Sequence, residues 1–205
     1  KIHKEGYLYQ GQKPVNWCID CKSALAEAEV EYEDKISSAI DVAFLVNDND
    51  ALAKAVGVPI ISEPTFAVIW TTTPWTIPAN KALAFNSSIE YSVIEISELD
   101  HFKEKKIIVA TNLIESITRT CEIESFKILK TFKGNEFEGT ICSHPLIKMG
   151  FSYNVPMLDA QFVNLDQGTG IVHCAPSHGP DDFNLCLKNN IPSLYTVDNA
   201  GLYTK

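Results

Sequence analysis

Residues 65–80 read TFAVIWTTTPWTIPAN and contain the end of a strand. The first part of this stretch, residues 65–71, is rich in β-branched and aromatic residues, which favours a strand. Pro74 and Pro78 lack a backbone N–H, so neither a strand nor a regular helix can continue through them. The three threonines at 71–73 therefore lie where the chain leaves a sheet, and their hydroxyls can face a ligand there. The alternative is a threonine-rich strand end whose flanking tryptophans belong to the core.

Similar β-prone runs occur along the rest of the chain, at irregular spacing. They lie at residues 29–33, 41–47, 90–96, 106–110, 126–132 and 171–174. Helical patterns lie between them at residues 24–28, 50–56 and 112–120, and from Pro180 to about 189–190. Because helices and strands do not alternate regularly, a doubly wound sheet is disfavoured. We predict a β-rich α+β fold: a closed or nearly closed β-barrel core with peripheral helices. It forms one domain over residues 1–205, with residues 1–35 as an entry stalk.

The composition is typical of a water-soluble globular protein. Of the 205 residues, 45% are hydrophobic and 21% charged, which excludes intrinsic disorder, collagen and coiled coil. No apolar run reaches the roughly 18 residues that a membrane span needs, and no signal peptide opens the chain. We therefore expect a cytoplasmic monomer without membrane contact. The chain begins at Lys1 rather than at a methionine, which suggests a piece of a longer protein.

Charge limits how this chain can contact nucleic acid. The net charge is -9, and Arg119 is the only arginine. A protein that grips a duplex needs many cations to neutralise phosphates, and this chain lacks them. Any RNA contact is therefore expected to be local, through a few lysines, backbone amides and aromatic surfaces, or to be made mainly by another part of a larger protein. The six cysteines are scattered apart from one pair, so reduced thiols are expected.

A second stretch with chemical potential is residues 168–183, GTGIVHCAPSHGPDDF. A turn bracketed by glycines enters a short apolar strand that contains His173, and a Pro/Gly loop then leads to two carboxylates at a helix start. Acidic residues are favourable in a first helical turn, which accounts for one of Asp181 and Asp182. The second carboxylate is left in need of a partner, for which a cationic ligand group is one candidate. His173 taken alone is also compatible with an ordinary core histidine.

Two other chemistries compete for this stretch. Its His, Cys and Asp side chains suit a metal, but Pro176 and Gly179 keep His173 and His178 off a shared helical face, and no paired-histidine metal-hydrolase motif is present. Metal-dependent hydrolysis therefore stays a minor alternative. A covalent hydrolase is disfavoured because no Gly-x-Ser-x-Gly elbow occurs.

Three stretches together closely resemble the editing domain, or connective peptide 1, of isoleucyl-tRNA synthetases. They are residues 70–80, residues 168–183, and residues 14–30 without the intervening 19–22. The related valyl and leucyl enzymes usually continue the threonine run as Thr-Arg-Pro, whereas this chain has Thr73-Pro74-Trp75. The sequence lacks the His-Ile-Gly-His and Lys-Met-Ser-Lys-Ser signatures of the synthetic active site, so it looks like the editing insert alone.

The resemblance implies hydrolysis of valine from mischarged Val-tRNA(Ile) by water attack on the aminoacyl ester. The expected partners are the 3' aminoacyl-adenosine end of that tRNA and the rest of the synthetase. The resemblance places the following residues around the substrate: Thr71, Thr72, Thr73 and Asn80 near the terminal adenosine and ester, Trp70 as a pocket wall, His173 beside the amino-acid side chain and ester, and Asp182 on the α-ammonium. The threonines, His173 and Asp182 are the expected catalytic group.

The resemblance also implies a use for the Cys18-Ile19-Asp20-Cys21 hook. It would be half of a zinc knuckle whose other half follows this segment in the full-length enzyme. We therefore expect no cofactor and no complete metal site in this chain. A noncatalytic module that binds or docks a tRNA 3' end remains the alternative to hydrolysis, because tryptophans and threonines can also form a stacking platform.

Overall fold

The computed structural model describes residues 1–47, 52–54, 64–97 and 105–204, and strands dominate this part of the chain. The strands are β1 (Asn16–Cys18), β2 (Ser23–Leu25), β3 (Ile40–Leu45), β4 (Thr65–Thr71), β5 (Ala82–Phe85), β6 (Glu90–Ile96), β7 (Lys106–Ala110), β8 (Phe126–Lys133), β9 (Ile141–Ser143), β10 (Asn154–Asp159) and β11 (Val172–Cys174). The two α-helices with described bounds are α1 (Ile114–Thr120) and α2 (Pro180–Lys188). Short 3-10 turns include Pro74–Ala79 and Glu27–Glu29.

The larger sheet has five strands in the order β3-β4-β7-β6-β8. Only the β4–β7 pair is parallel; the other pairs are antiparallel. All five residues of β7 are buried, as expected of a central strand covered on both faces. This sheet holds most of the apolar core, including Ile69, Tyr91 and Ile108.

The smaller sheet has four strands in the order β11-β5-β10-β9. Strand β5 is fully buried, and it pairs in parallel with β10 and antiparallel with β11. In that register His173 lies opposite Leu83. The smaller sheet thereby fixes the position of the histidine.

The two sheets pack around one core without forming a closed barrel. An isolated bridge between Val46, directly after β3, and Cys142 in β9 connects the two sheets, and β11 lies against β4. In the described part of the chain no ladder joins the opposite edges, β8 and β11. The predicted β-rich α+β class with peripheral helices is confirmed, and of the two predicted forms, a closed or a nearly closed barrel, the described residues do not show the closed one. Closure requires continuous pairing with matched tilt and register around the circuit, and the two sheets of the described chain are joined by isolated contacts instead.

Most predicted elements are confirmed within one or two residues. Strands β4, β6 and β7 have the predicted bounds, and β3, β8, β11 and both α-helices differ slightly. The predicted helix at 24–28 and the predicted strand at 29–33 are wrong, because residues 23–25 pair with β1 instead. The predicted helix at 50–56 lies largely outside the described residues, which are helical at 52–54. Strands β1, β2, β5, β9 and β10 were not predicted.

The N-terminal hairpin, β1 with β2, packs against the C-terminal segment. The indole Nε1 of Trp17 donates a hydrogen bond to the carbonyl of Asn199 at 2.9 Å. A Cβ on Gly201, whose φ is +75°, would approach Ile19 Cγ2 to 3.1 Å. The first and last parts of the described chain therefore lie side by side. Among the described residues, no helix has the length and apolar character needed to cross a membrane.

Candidate functional site

A cavity of about 410 Å³ lies between the end of β4, the loop before β11 and the start of α2. Six of the seven residues predicted as site residues line it: Trp70, Thr71, Thr72, Thr73, His173 and Asp182. The first four and the last two are separated by about a hundred positions in the chain. The fold thus brings the threonine run and the His/Asp stretch to one small cavity.

The threonine run presents hydroxyls as the chain leaves β4. Thr71 is buried, and its Oγ1 accepts a hydrogen bond from the Thr73 N–H at 3.1 Å. The Thr71 and Thr73 hydroxyl oxygens are 3.3 Å apart. Thr72 is exposed, and its hydroxyl has no hydrogen-bond partner among the residues that the structure describes. This hydroxyl is therefore available to a ligand in the cavity.

The glycine-bracketed loop is fixed against the end of β7. Gly170 has φ +77°, and a Cβ there would come within 2.4 Å of the Ala110 Cβ. The Ala110 N–H donates to the Thr169 carbonyl at 2.8 Å, and the Tyr91 hydroxyl donates to the Gly170 carbonyl at 2.8 Å. Both left-handed geometry and close approach demand glycine here. The loop consequently sets where β11 begins and where its histidine lies.

Both ring nitrogens of His173 are engaged by the protein. Its Nδ1 lies 2.9 Å from Asn80 Nδ2, and its Nε2 lies 2.8 Å from Thr76 Oγ1. Burial lowers the pKa of His173 to about 4, and the nearby His144 and His178 act in the same direction. The ring is therefore neutral at pH 7 and, with both nitrogens occupied, forms a wall of the cavity rather than a free base.

Asp182 is a half-buried carboxylate at the start of α2. One oxygen, Oδ2, accepts a hydrogen bond from the Ala175 N–H at 2.8 Å. Gly179 leaves room for it, since a Cβ there would lie 3.1 Å from Oδ2. Burial raises the pKa of Asp182, the neighbouring Asp181 raises it further, and the Ala175 hydrogen bond opposes both. No cation pairs with Asp182 among the described residues, so the carboxylate is suited to an ammonium group of a ligand.

Asn80 is the predicted site residue that does not line the cavity. It is fully buried, and its amide donates to the Ala82 carbonyl at 2.9 Å as well as facing His173. The structure thus places Asn80 behind the His173 ring, outside the residues that line the cavity. The physical reason is the 3-10 turn Pro74–Ala79, which carries residue 80 from the surface into the core.

Several cavity residues escaped sequence analysis. Thr76 is one, although it belongs to the quoted threonine-rich stretch. Trp75 and His178, both considered in the sequence analysis, line the cavity as well, and their ring centroids lie 4.9 Å apart in an edge-to-face contact. The loop that supplies Phe162, Asn164 and Gln167 also lines it, and no local motif distinguishes that loop.

The cysteine hook forms a pair of thiols without further ligands nearby. The Cys21 N–H points to Cys18 Sγ at 3.3 Å, and this hydrogen bond lowers the pKa of Cys18. A structural zinc needs four ligands. No group of three or more candidate metal ligands occurs in the described part of the chain. Among the described residues, the hook supplies two of the four ligands that such a site needs, and its use for zinc stays a prediction.

Comparison with known proteins identifies the family and the fold. The family described as tRNA synthetases class I (I, L, M and V) matches residues 1–178. The isoleucine–tRNA ligase of Pelagibacter ubique is 55% identical over all 205 residues, and that of Francisella tularensis subsp. tularensis (strain WY96-3418) is 46% identical over the same length. The chain spans 22% and 21% of these two relatives, respectively.

Among solved structures, the editing domain of Plasmodium knowlesi (P.knowlesi) cytosolic leucyl-tRNA synthetase resembles this fold with a TM-score of 0.60 at 15% identity. The match covers 78% of this chain and 66% of that one. The fold described above is thus that of a synthetase editing domain, in agreement with the sequence-based expectation. Together with the match over residues 1–178, these similarities establish that the chain belongs to the class I tRNA synthetase family.

Proposed function

We propose that this chain is the hydrolytic editing domain of an isoleucyl-tRNA synthetase and that it removes valine from mischarged Val-tRNA(Ile). The observation that carries the proposal is the convergence of Thr72 and Asp182 on one cavity of about 410 Å³. The whole-length similarity to isoleucine–tRNA ligases supports the identity of the substrate tRNA. The editing-domain fold favours hydrolysis over a noncatalytic docking module.

Editing is needed because a synthetic pocket built for isoleucine cannot strongly reject valine. One missing methylene is worth only about 1–3 kcal/mol of discrimination, and isoleucine against valine is the standard example. A second cavity that admits valine and excludes isoleucine corrects the error. The cavity described here is small and partly apolar, with Trp70 and the His173 ring among its walls.

Recognition of an aminoacyl group rests on Asp182. Its carboxylate is partly removed from water and has no cationic partner among the described residues, so a bound α-ammonium replaces the lost hydration. An acyl group without an amine would leave that carboxylate unpaired. Asp182 therefore explains why an amino acid is chosen over other acyl groups.

The chemical step does not need a strongly nucleophilic side chain. Water attacks the ester carbonyl carbon, the carbon–oxygen bond to the ribose breaks, and the ribose oxygen takes a proton as valine leaves. An aminoacyl ester is already activated, so fixed hydrogen-bond donors that position the ester and stabilise the oxyanion suffice. The Thr72 and Thr73 hydroxyls are the donors at hand, with Thr71 holding the turn. Loss of one such donor commonly costs about 10² to 10³ in rate.

His173 contributes as a neutral wall beside the amino-acid side chain. Its pKa of about 4 means that it adds no positive charge to a site that must accept an ammonium group. Since both ring nitrogens face protein atoms, it cannot ligate a metal without losing those hydrogen bonds. This arrangement disfavours the metal-dependent alternative, and insensitivity of the hydrolysis to chelators is the expected result.

The remaining assignments follow from the same proposal. An acidic domain can accept one single-stranded tRNA end by stacking and hydrogen bonding, while the rest of the synthetase grips the tRNA body. Free cysteines throughout the described residues are consistent with a cytoplasmic location. A monomer is the proposed state.

The test is to incubate the chain with Val-tRNA(Ile) and Ile-tRNA(Ile) and to follow release of each amino acid. We expect valine to be released and isoleucine to be retained. Asp182→Ala should lower kcat/KM for valine release by about a hundredfold or more, because a charge-paired anchor is lost. Asp181→Ala is the matched control: this neighbouring carboxylate is exposed and should be dispensable. Near-normal activity of Asp182→Ala in a folded protein would remove the ammonium-anchor role.

A further inference from the structure

A continuous chain of hydrogen bonds passes through the His173 ring. It begins at the Asn80 amide, crosses both ring nitrogens and ends at the Thr76 hydroxyl. Asn80 and Thr76 are 0% and 5% exposed, so solvent does not compete for these hydrogen bonds. Thr76 lines the cavity and Asn80 does not, but the polar groups of both residues are committed to the His173 ring.

The direction of the first link follows from a backbone carbonyl. Asn80 Nδ2 lies 2.9 Å from the Ala82 carbonyl oxygen, which can only accept, so the nitrogen assignment of this amide is fixed. The same NH₂ group then donates its second hydrogen to His173 Nδ1 at 2.9 Å. A nitrogen that accepts a hydrogen bond carries no proton. The proton of the neutral ring must therefore be on Nε2.

The direction of the second link follows from another carbonyl. The Thr76 hydroxyl donates to the Thr73 carbonyl at 2.8 Å, and its oxygen is then free to accept from His173 Nε2–H at 2.8 Å. Both hydrogen bonds to the His173 ring therefore require the same tautomer, with the proton on Nε2. The low pKa of His173 is consistent with this tautomer. In a ring protonated on both nitrogens, the Nδ1–H donor would point at the NH₂ donor of Asn80.

The backbone that carries Asn80 is itself anchored. His144 is 1% exposed; it accepts from the Leu146 N–H through Nδ1 and faces the Ile77 carbonyl through Nε2 at 3.0 Å. The Tyr153 hydroxyl donates to the Asn80 carbonyl at 2.6 Å. The segment 77–80 is therefore a fixed support, and the orientation of the His173 ring is set against a rigid reference.

We propose that Thr76 and Asn80 are positioning residues that hold the His173 ring in one tautomer and one orientation, and thereby set the size limit of the cavity. This inference rests on the proposed function for its effect on specificity. Its structural content, the Nε2–H tautomer held from both sides, stands independently of any activity. The role of Asn80 is then to support the wall rather than to bind adenosine.

The test uses Thr76→Val, which keeps the shape of the side chain and removes its hydroxyl. We expect the ratio of kcat/KM for valine release to that for isoleucine release to fall about tenfold, the loss of one buried hydrogen bond. Thr76→Ser, which restores the hydroxyl, should return the ratio to within about threefold of wild type. Thr118→Val is the matched control, because Thr118 is equally buried and also donates to a carbonyl three residues earlier, in helix α1.

The second readout is the protonation of the His173 ring nitrogens, measured by long-range ¹H–¹⁵N NMR at pH 7. We expect the proton on Nε2 in the wild-type chain and a mixed or altered state in Thr76→Val. A proton on Nδ1 of the wild type overturns the inference whether or not Thr76→Val folds. An unchanged specificity ratio in a folded Thr76→Val also overturns it. Failure of the wild type to release valine would instead reject the proposed function, with the tautomer still measurable.

Discussion

At the scale of the residue, the site depends on two buried or half-buried groups in unlike states. His173 is neutral with every ring nitrogen occupied, and Asp182 is a carboxylate with one oxygen held by Ala175. The first suits a wall and the second an ammonium anchor. Together with the threonine run they line one cavity, whose walls combine a neutral ring with a carboxylate.

His173→Ala should open the wall of the cavity. We expect the variant to begin hydrolysing correctly charged Ile-tRNA(Ile), with kcat/KM for isoleucine release rising at least about tenfold, because space for the additional methylene appears. Parallel deacylation assays with both aminoacyl-tRNAs measure this. Continued rejection of isoleucine by a folded variant would show that another residue limits the cavity.

Sequence reasoning identified most of the predicted site residues that line the cavity, while their chemical roles stay predictions. Asp182 was predicted as an anchor, and the structure puts it in the cavity. Asn80 was predicted beside the adenosine, and Thr76 was given no task. Their positions depend on the course of a proline-containing 3-10 turn, which no local propensity determines.

At the scale of the element, the glycine loop before β11 decides where the histidine lies. Gly170 combines a positive φ with backbone contact so close that a Cβ would come within 2.4 Å of Ala110. A Cβ at position 170 would push the loop before β11 away from Ala110 at the end of β7. The edge strand that carries His173 has only three residues with which to resist such a shift.

Gly170→Ala should lower the free energy of unfolding by about 3 kcal/mol, through left-handed strain and overpacking together. Gly139→Ala is the control: φ there is +79° with no atom within 4 Å of the added Cβ, so about 1 kcal/mol is expected. Urea denaturation of both variants measures the difference. Equal losses would show that the contact with Ala110 relaxes freely.

The strands with strong β-branched runs were predictable, and those without were not. Strand β4 contains Val68, Ile69 and two threonines, and its bounds were predicted correctly. Strand β5 reads Ala-Leu-Ala-Phe, and β10 contains Pro156, which ordinarily argues against a central strand. Strands β5 and β10 form because neighbouring strands bury them. A single sequence does not reveal which segments will be neighbours.

At the scale of the whole molecule, buried histidines make stability depend on pH. In the unfolded chain His173 takes up a proton near pH 6.5, whereas in the folded chain its pKa is about 4. The unfolded state thus binds more protons between these values, and stability rises with pH across that window. Burial also lowers the pKa of His144, which acts in the same direction.

We expect the free energy of unfolding to fall by about 3 kcal/mol between pH 7 and pH 4 through His173 alone. His173→Gln should reduce the slope, because the titrating group is removed. The pKa values of the half-buried Asp182 and Asp41 are raised by burial, so both carboxyls increase the free energy of unfolding as pH falls, and both are present in the two proteins. Comparing the two denaturation series cancels their effect, and identical slopes would contradict the assignment.

The global class of the fold could be predicted from irregular spacing of short strands, but the closure of the barrel could not. Closure depends on strand tilt and on register between distant strands, which are set by three-dimensional packing. The single Val46–Cys142 bridge between the sheets is such a nonlocal detail.

The parallel pairing of β5 with β10, and the placement of β11 on the far side of β5, have a consequence for synthesis on the ribosome. The threonine run is synthesised about a hundred residues before β11. The cavity between them is incomplete until β11 pairs with β5. Contacts this far apart in sequence form late in folding. The cavity is therefore complete only after both β11 and helix α2 have been synthesised and have packed against the earlier strands.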